Sequence, residues 1–167
     1  MSILIKNIRL NGSVSDIYIQ GNKIEKIEKN IQIQADTIID GSGKAAIPTF
    51  VNGHTHNAMT LFRGFAEDMR LEEWLNEKIW PHEAKLTEQD VYWGSRLGVL
   101  EMIKSGTTLF NDMYWHFHGT ARAVEEMGIR AVLSAVLIDN FDPVAAQETR
   151  KNAEELYEAS KQYSNRI

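Results

Sequence analysis

The sequence contains no cysteine among its 167 residues. This removes disulfides and thiolate metal ligands together, excludes redox chemistry by the chain itself, and leaves histidine, aspartate and glutamate as the candidate ligands. Long apolar runs are also missing. Between Met1 and Leu10 the hydrophobic residues are broken by Lys6, Asn7 and Arg9, short of a signal or membrane-spanning segment, and the resulting expectation is a cytoplasmic location with no membrane partner. Charge of one sign does not dominate either. The formal net charge of -5 arises from interspersed acidic and basic residues, and no basic face with interleaved aromatics is present, so no nucleic-acid partner is expected. What remains, 43% hydrophobic and 25% charged residues, is the composition of a soluble globular chain able to bury a substantial core.

The first part of the chain reads as short strands. Ile3 to Leu10, Asp16 to Gln20, Lys23 to Glu28 and Thr37 to Asp40 are rich in β-branched residues and separated by Asn11-Gly12, Gly21-Asn22 and Gly41-Ser42-Gly43, which predicts a small antiparallel sheet. After Pro48 strands alternate with helices. An apolar strand leads into His54-Thr55-His56; Leu71 to Trp80 has helical spacing and should stop before Pro81; Thr87 and Asp90 form a capping-box pattern opening a helix that runs to Gly106. Thr107 to Asp112 and Arg130 to Ile138 read as buried strands, Gly119 to Met127 as a helix closed by Gly128, and Pro143 to Tyr163 as a last helix. The expected fold class is therefore α/β: about three βα units of a (β/α)8 barrel at residues 48–167, preceded at residues 1–47 by strands of a small β domain. Three such units cannot close a barrel, so the barrel is expected to be truncated.

His54 and His56 are separated by one residue, so on a strand both imidazoles face one side while Thr55 faces the other. An isolated pair of this kind can be a chance feature of a surface strand. Here it follows an apolar strand and Gly53, at the carboxyl end where barrels place their active sites. Neutral imidazoles are good ligands for zinc, which lowers the pKa of a bound water to roughly 7. His116 and His118 have the same spacing but fall beyond a strand end, and read as pocket-lining or exposed loop residues; His82 also reads as a loop residue.

The blocks Pro48-Thr49-Phe50-Val51-Asn52-Gly53-His54-Thr55-His56, Leu61-Phe62-Arg63-Gly64-Phe65-Ala66-Glu67-Asp68, Glu73-Trp74-Leu75, Trp80-Pro81-His82-Glu83 and Phe110-Asn111-Asp112-Met113-Tyr114 stand in an order that resembles the amidohydrolase superfamily. Within it they resemble the 5-methylthioadenosine/S-adenosylhomocysteine deaminases and related chlorohydrolases. The resemblance implies a metal-dependent hydrolase barrel carrying one divalent ion, zinc by preference, and a first domain that is part of a β-sandwich. It implies that His54 and His56 are two metal ligands and that Glu83 accepts hydrogen bonds from ribose hydroxyls, for which a carboxylate is well suited. Glu83 could otherwise be an exposed loop carboxylate. Trp74 either lines a nucleoside pocket or packs in the core, and Asp112 either orients neighbouring groups or caps a turn.

Further metal ligands and the proton-shuttling residues are expected beyond Ile167, so the catalytic residues are unknown and the chain alone is expected to be inactive. The uncharged Ser134-Ala135-Val136 lacks the arginine expected for a homocysteine carboxylate, with Arg150 a distant substitute. The implied activity is zinc-dependent hydrolytic deamination of adenine nucleosides such as 5-methylthioadenosine or S-adenosylhomocysteine. The alternatives are a chlorohydrolase or an aminohydrolase of guanine or another heterocycle, and, in a different class, a truncated non-catalytic folding or interaction module. The missing part of the barrel and further copies of the chain are the expected protein partners.

Overall fold

The computed structural model describes all residues from Met1 to Ile167, in two compact units, Met1–Pro48 and Thr49–Ile167. The first unit holds β1 (Ser2–Leu10), β2 (Ser13–Gln20), β3 (Lys23–Glu28) and β4 (Thr37–Asp40) in a four-stranded sheet of order β3-β2-β1-β4. Asn11 (φ 48°) and Gly12 (φ 83°) both take the left-handed conformation, which the tight turn between β1 and β2 requires. The sheet is mixed and not purely antiparallel. β4 pairs parallel with β1, Ile3 opposite Thr37 and Lys6 opposite Asp40, because the connection from β3 is long enough to carry the chain back before β4 begins. Asp16 is buried and accepts from the Asn7 N–H at 2.8 Å and the Ile31 N–H at 3.0 Å, so one carboxylate satisfies the donors freed by the bulge in β1 and by the loop after β3.

The second unit is built on a three-stranded parallel sheet of order β5 (Phe50–Thr55), β6 (Thr107–Met113) and β7 (Arg130–Ser134). The two longest helices in the connections between these strands are α3 (Glu88–Lys104), which leads into β6, and α4 (Phe117–Met127), between β6 and β7. Val99 of α3, Phe110 of β6, Val124 of α4 and Ala131 of β7 form one buried cluster on the helix-covered face. The other face stays open: Val51 and Val132 are exposed there, unlike the usual parallel sheet, which is covered on both sides. The Thr87–Asp90 capping box opens α3 as expected, with reciprocal bonds of 3.2 and 2.9 Å, and Gly128 closes α4 at φ 75°. α4 begins at Phe117, two residues ahead of the expected start.

Three further elements depart from the sequence reading. β7 ends at Ser134 and does not run to Ile138, and the following helix, α5 (Pro143–Ser160), stops short of Tyr163. Pro81 does not end a helix. α1 (Leu71–Glu73) passes into a π-helical segment, Trp74–Ile79, and then into α2 (Trp80–Glu83), with Pro81 in the first turn of α2. The Trp80 N–H bonds the Leu75 carbonyl, so the ladder has already shifted to five-residue spacing before the proline. Pro81 then occupies a first-turn position, where a missing N–H costs little. No helix is long and apolar enough to cross a membrane.

Candidate functional site

At the carboxyl end of β5 the chain passes from strand to a 3₁₀ turn, Asn57–Phe62, with His56 at the junction. The His54 and His56 rings stand edge to face with centroids 5.1 Å apart. The His56 Nδ1 lies 2.8 Å from the Met113 carbonyl oxygen; a carbonyl can only accept, so Nδ1 carries a proton, and in the neutral ring the lone pair available to a metal is the one on Nε2.

The junction is braced from β6. Asp112, only 3% exposed, accepts with one oxygen, Oδ1, from the Thr55 hydroxyl at 2.8 Å and the Asn57 N–H at 2.7 Å, the residues on either side of His56. Asp112 thereby both caps the 3₁₀ turn and holds the backbone around His56. Burial pushes its carboxyl above the ordinary value of 3.8, against the opposing pull of those two hydrogen bonds. From the helix side, the Asn57 amide donates to the Ser95 carbonyl at 3.0 Å and the Thr60 hydroxyl to the Gly94 carbonyl at 2.7 Å. Gly94 and Gly98 make this approach fit, since a Cβ at Gly94 would lie 2.6 Å from the Ala58 carbonyl oxygen.

A cavity of about 190 Å³ opens beside His56, walled by Met59, Trp74, Ile79, Glu83, Tyr114 and Trp115 among others. Trp74 is half-buried and lines this cavity from the π-helical segment, and Val136 of the uncharged Ser134-Ala135-Val136 stretch also borders it. Glu83 sits at the end of α2, is 9% exposed, and accepts from the Trp115 indole N–H at 3.2 Å; it is not an exposed loop carboxylate. Burial, then the pull of the Glu83 carboxylate as acceptor and as charge, and last the Asp112 charge, push the Tyr114 phenol far above its ordinary value.

The other histidines are engaged elsewhere. His82 lies in α2 and not in a loop, its Nδ1 2.6 Å from the Lys78 carbonyl oxygen. His116 has φ 52° just before α4 and places Nε2 2.8 Å from the Leu86 carbonyl oxygen, lining a second cavity next to Trp80 and Trp115. His118 is helical, with Nδ1 2.8 Å from the Tyr163 hydroxyl. Arg150 pairs with Glu154 at 2.9 Å on α5 and does not line the His56 cavity. The chain brings no third histidine, aspartate or glutamate to His54 and His56 in a metal-binding group. Sequence reading assigned no role to Asn57, Tyr114 or Trp115. Tyr114 stood within a quoted block, but nothing in its residue type signals an aim toward Glu83.

The chain is similar to known proteins over most of its length. A 5'-deoxyadenosine deaminase of Methanocaldococcus jannaschii is 56% identical over 154 residues, 91% of this chain and 37% of the relative. A 5-methylthioadenosine/S-adenosylhomocysteine deaminase of Archaeoglobus fulgidus is 51% identical over 155 residues, 90% of this chain and 36% of the relative. The chain thus spans little more than a third of the length of these curated relatives. The crystal structure of an adenosine deaminase from Xanthomonas campestris with bound zinc superposes with a TM-score of 0.81 at 28% identity, covering 95% of this chain and 39% of that one. Residues 45–167, the whole stretch that carries the paired histidines, Asp112 and Glu83, match the amidohydrolase family, and the chain belongs to that family.

Proposed function

We propose that these residues form part of a zinc-dependent hydrolytic deaminase of adenine nucleosides, with His54 and His56 as two of the metal ligands and Glu83 as the acceptor for the ribose hydroxyls. The observation that carries this reading is that His56 and the buried Glu83 wall one cavity. The adjacent imidazoles, with the His56 proton held on the side of Met113, fit a single ion as half of a site. When bound, the ion supplies Lewis acidity and an activated water. The chain's own residues present the His56 lone pair through the Met113 carbonyl, offer Trp74 as an aromatic wall for a base, and turn a carboxylate toward a vicinal diol. Proton transfer at the base falls to groups outside the set assembled here.

The same reading makes β5, β6 and β7, with α3 and α4 on one face, the opening strands of a (β/α)8 barrel, and makes the first unit part of a β-sandwich. The open sheet face supports this, since further strands and a closed barrel interior would cover it. The test is an assay of the protein as its gene encodes it, with zinc, against adenine nucleosides, free bases and chlorinated heterocycles. Glu83→Ala is expected to weaken nucleoside use far more than use of a free base. Activity confined to free bases or chlorinated rings would overturn the nucleoside reading.

A further inference from the structure

The Tyr114 hydroxyl is the one buried side-chain polar atom in the chain without a hydrogen-bond partner. The residue is 7% exposed, its ring fixed against Ala58 and Val91, so the hydroxyl cannot swing out to water. Buried polar groups are nearly always paired, and an exception calls for a partner that arrives or moves. One acceptor is close by. Tyr114 and Glu83 line the same cavity, and the Glu83 carboxylate lies near enough to bear on the phenol both as an acceptor and as a charge, though the hydroxyl falls short of full hydrogen-bond geometry. The next residue, Trp115, already donates to Glu83 Oε2 at 3.2 Å. Two consecutive residues just past the end of β6 therefore lie against one carboxylate, one bonded to it and the other with its hydroxyl short of a full hydrogen bond.

We infer that Tyr114 is a positioning residue for Glu83: when ligand fills the cavity, its hydroxyl donates to the Glu83 carboxylate and, with Trp115, fixes the plane in which Glu83 meets the ligand. An ionised carboxylate offers about four lone-pair sites. With two taken by Tyr114 and Trp115, two remain for a pair of adjacent ligand hydroxyls, and a carboxylate held in this way binds a diol without first losing rotational freedom. This inference rests on the assignment of Glu83 to ribose recognition.

The test uses the encoded protein with zinc, adenosine and 2',3'-dideoxyadenosine, and the variants Tyr114→Phe, Glu83→Gln and their combination. Tyr114→Phe removes only the unpaired oxygen, and circular dichroism with thermal melting checks that the fold persists. The expected result is a KM for adenosine raised about 5–10-fold, the size of one hydrogen bond, with kcat nearly unchanged and no effect on the dideoxy substrate. In the Glu83→Gln background, Tyr114→Phe should add no further loss. A Tyr114→Phe effect equal on both substrates, absent from both, or undiminished in the double variant would overturn the inference. If Glu83→Gln discriminates the two substrates while Tyr114→Phe does not, the positioning role alone fails. If Glu83→Gln does not discriminate them, the ribose assignment fails and the inference falls with it.

Discussion

Gly98 of α3 approaches Asn57 so closely that a Cβ added to it would lie 2.0 Å from the Asn57 Oδ1. Asn57 directly follows His56 and is fixed by Asp112 and Ser95, so it cannot yield without moving the histidine. Alanine at position 98 gains helix propensity worth about 1 kcal/mol, but overpacking a rigid contact typically costs about 1–3 kcal/mol and sometimes more. Gly98→Ala is expected to be destabilising overall and to weaken zinc binding. Urea unfolding and a zinc titration of the variant check both effects; unchanged zinc affinity in a destabilised variant would separate packing from the site.

This contact shows where sequence reading stopped. The capping box of Thr87 and Asp90, the left-handed Asn11-Gly12 turn and the closing Gly128 were legible because each is a local rule with a local residue signature. The adjacency of the His54 and His56 rings was legible because one-residue spacing in a strand fixes their side, and the place of Glu83 on the His56 cavity because of the block around it. Asn57 and Gly98 were not, since their relation joins residues far apart in sequence and glycine in a helix reads only as a weak spot. Pro81 misled for a related reason. The stop rule assumes an α-helical ladder, and the π-helical turn before it had already changed the spacing. The parallel pairing of β4 with β1 was likewise invisible, because strand residues do not encode the direction of a neighbour.

Asp112 should show its burial through pH. Its native carboxyl titrates above 3.8, so the native state takes up this proton more readily than the unfolded chain. The stability this contributes is fully present below the unfolded value and is lost as pH rises through the native one. Both donors bond the same oxygen, Oδ1, which Asp112→Asn retains while removing the charge. The variant is therefore expected to match the parent within about 1 kcal/mol at neutral pH and to become relatively weaker in acid, as the parent regains its proton. Asp112→Ala leaves the buried Asn57 N–H without an acceptor and should cost about 1–3 kcal/mol at every pH. Urea midpoints measured from neutral to mildly acidic pH decide; a gap between Asp112→Asn and parent that does not vary with pH would refute a raised carboxyl.

Zinc should stabilise the encoded protein through His54 and His56. A ligand that binds only the native state adds about 2.7 kcal/mol when present at a hundred times its Kd, which appears as a higher melting temperature. His54→Ala and His56→Ala are each expected to remove most of that zinc-dependent rise while changing the melting temperature of the chelator-treated protein little. An equal rise in the parent and both variants would mean that the ion binds elsewhere.

The last expectation concerns residues Met1 to Ile167 expressed by themselves. Two imidazoles with no third ligand give a weak site, so zinc binding by this chain alone should be far weaker than that of a site with three or more protein ligands. The sheet of the second unit adds a further consequence. β5 and β7 are its two edge strands, and Val51, Val132, Leu137 and Ile138 expose apolar surface around them. The Arg166 carbonyl accepts from the Ala131 N–H at 2.8 Å, which covers one edge donor of β7 and leaves the rest of the edge to pair with whatever strand it meets. An open parallel sheet with an uncovered face is a template for association, so the 19.0 kDa chain is expected to sediment as a concentration-dependent oligomer. Val132→Lys places a charge on that face without touching the buried Ala131 and should shift the distribution toward monomer. Analytical ultracentrifugation over a range of concentrations measures both, and a parent chain that stays monomeric throughout would show that the open face does not drive association.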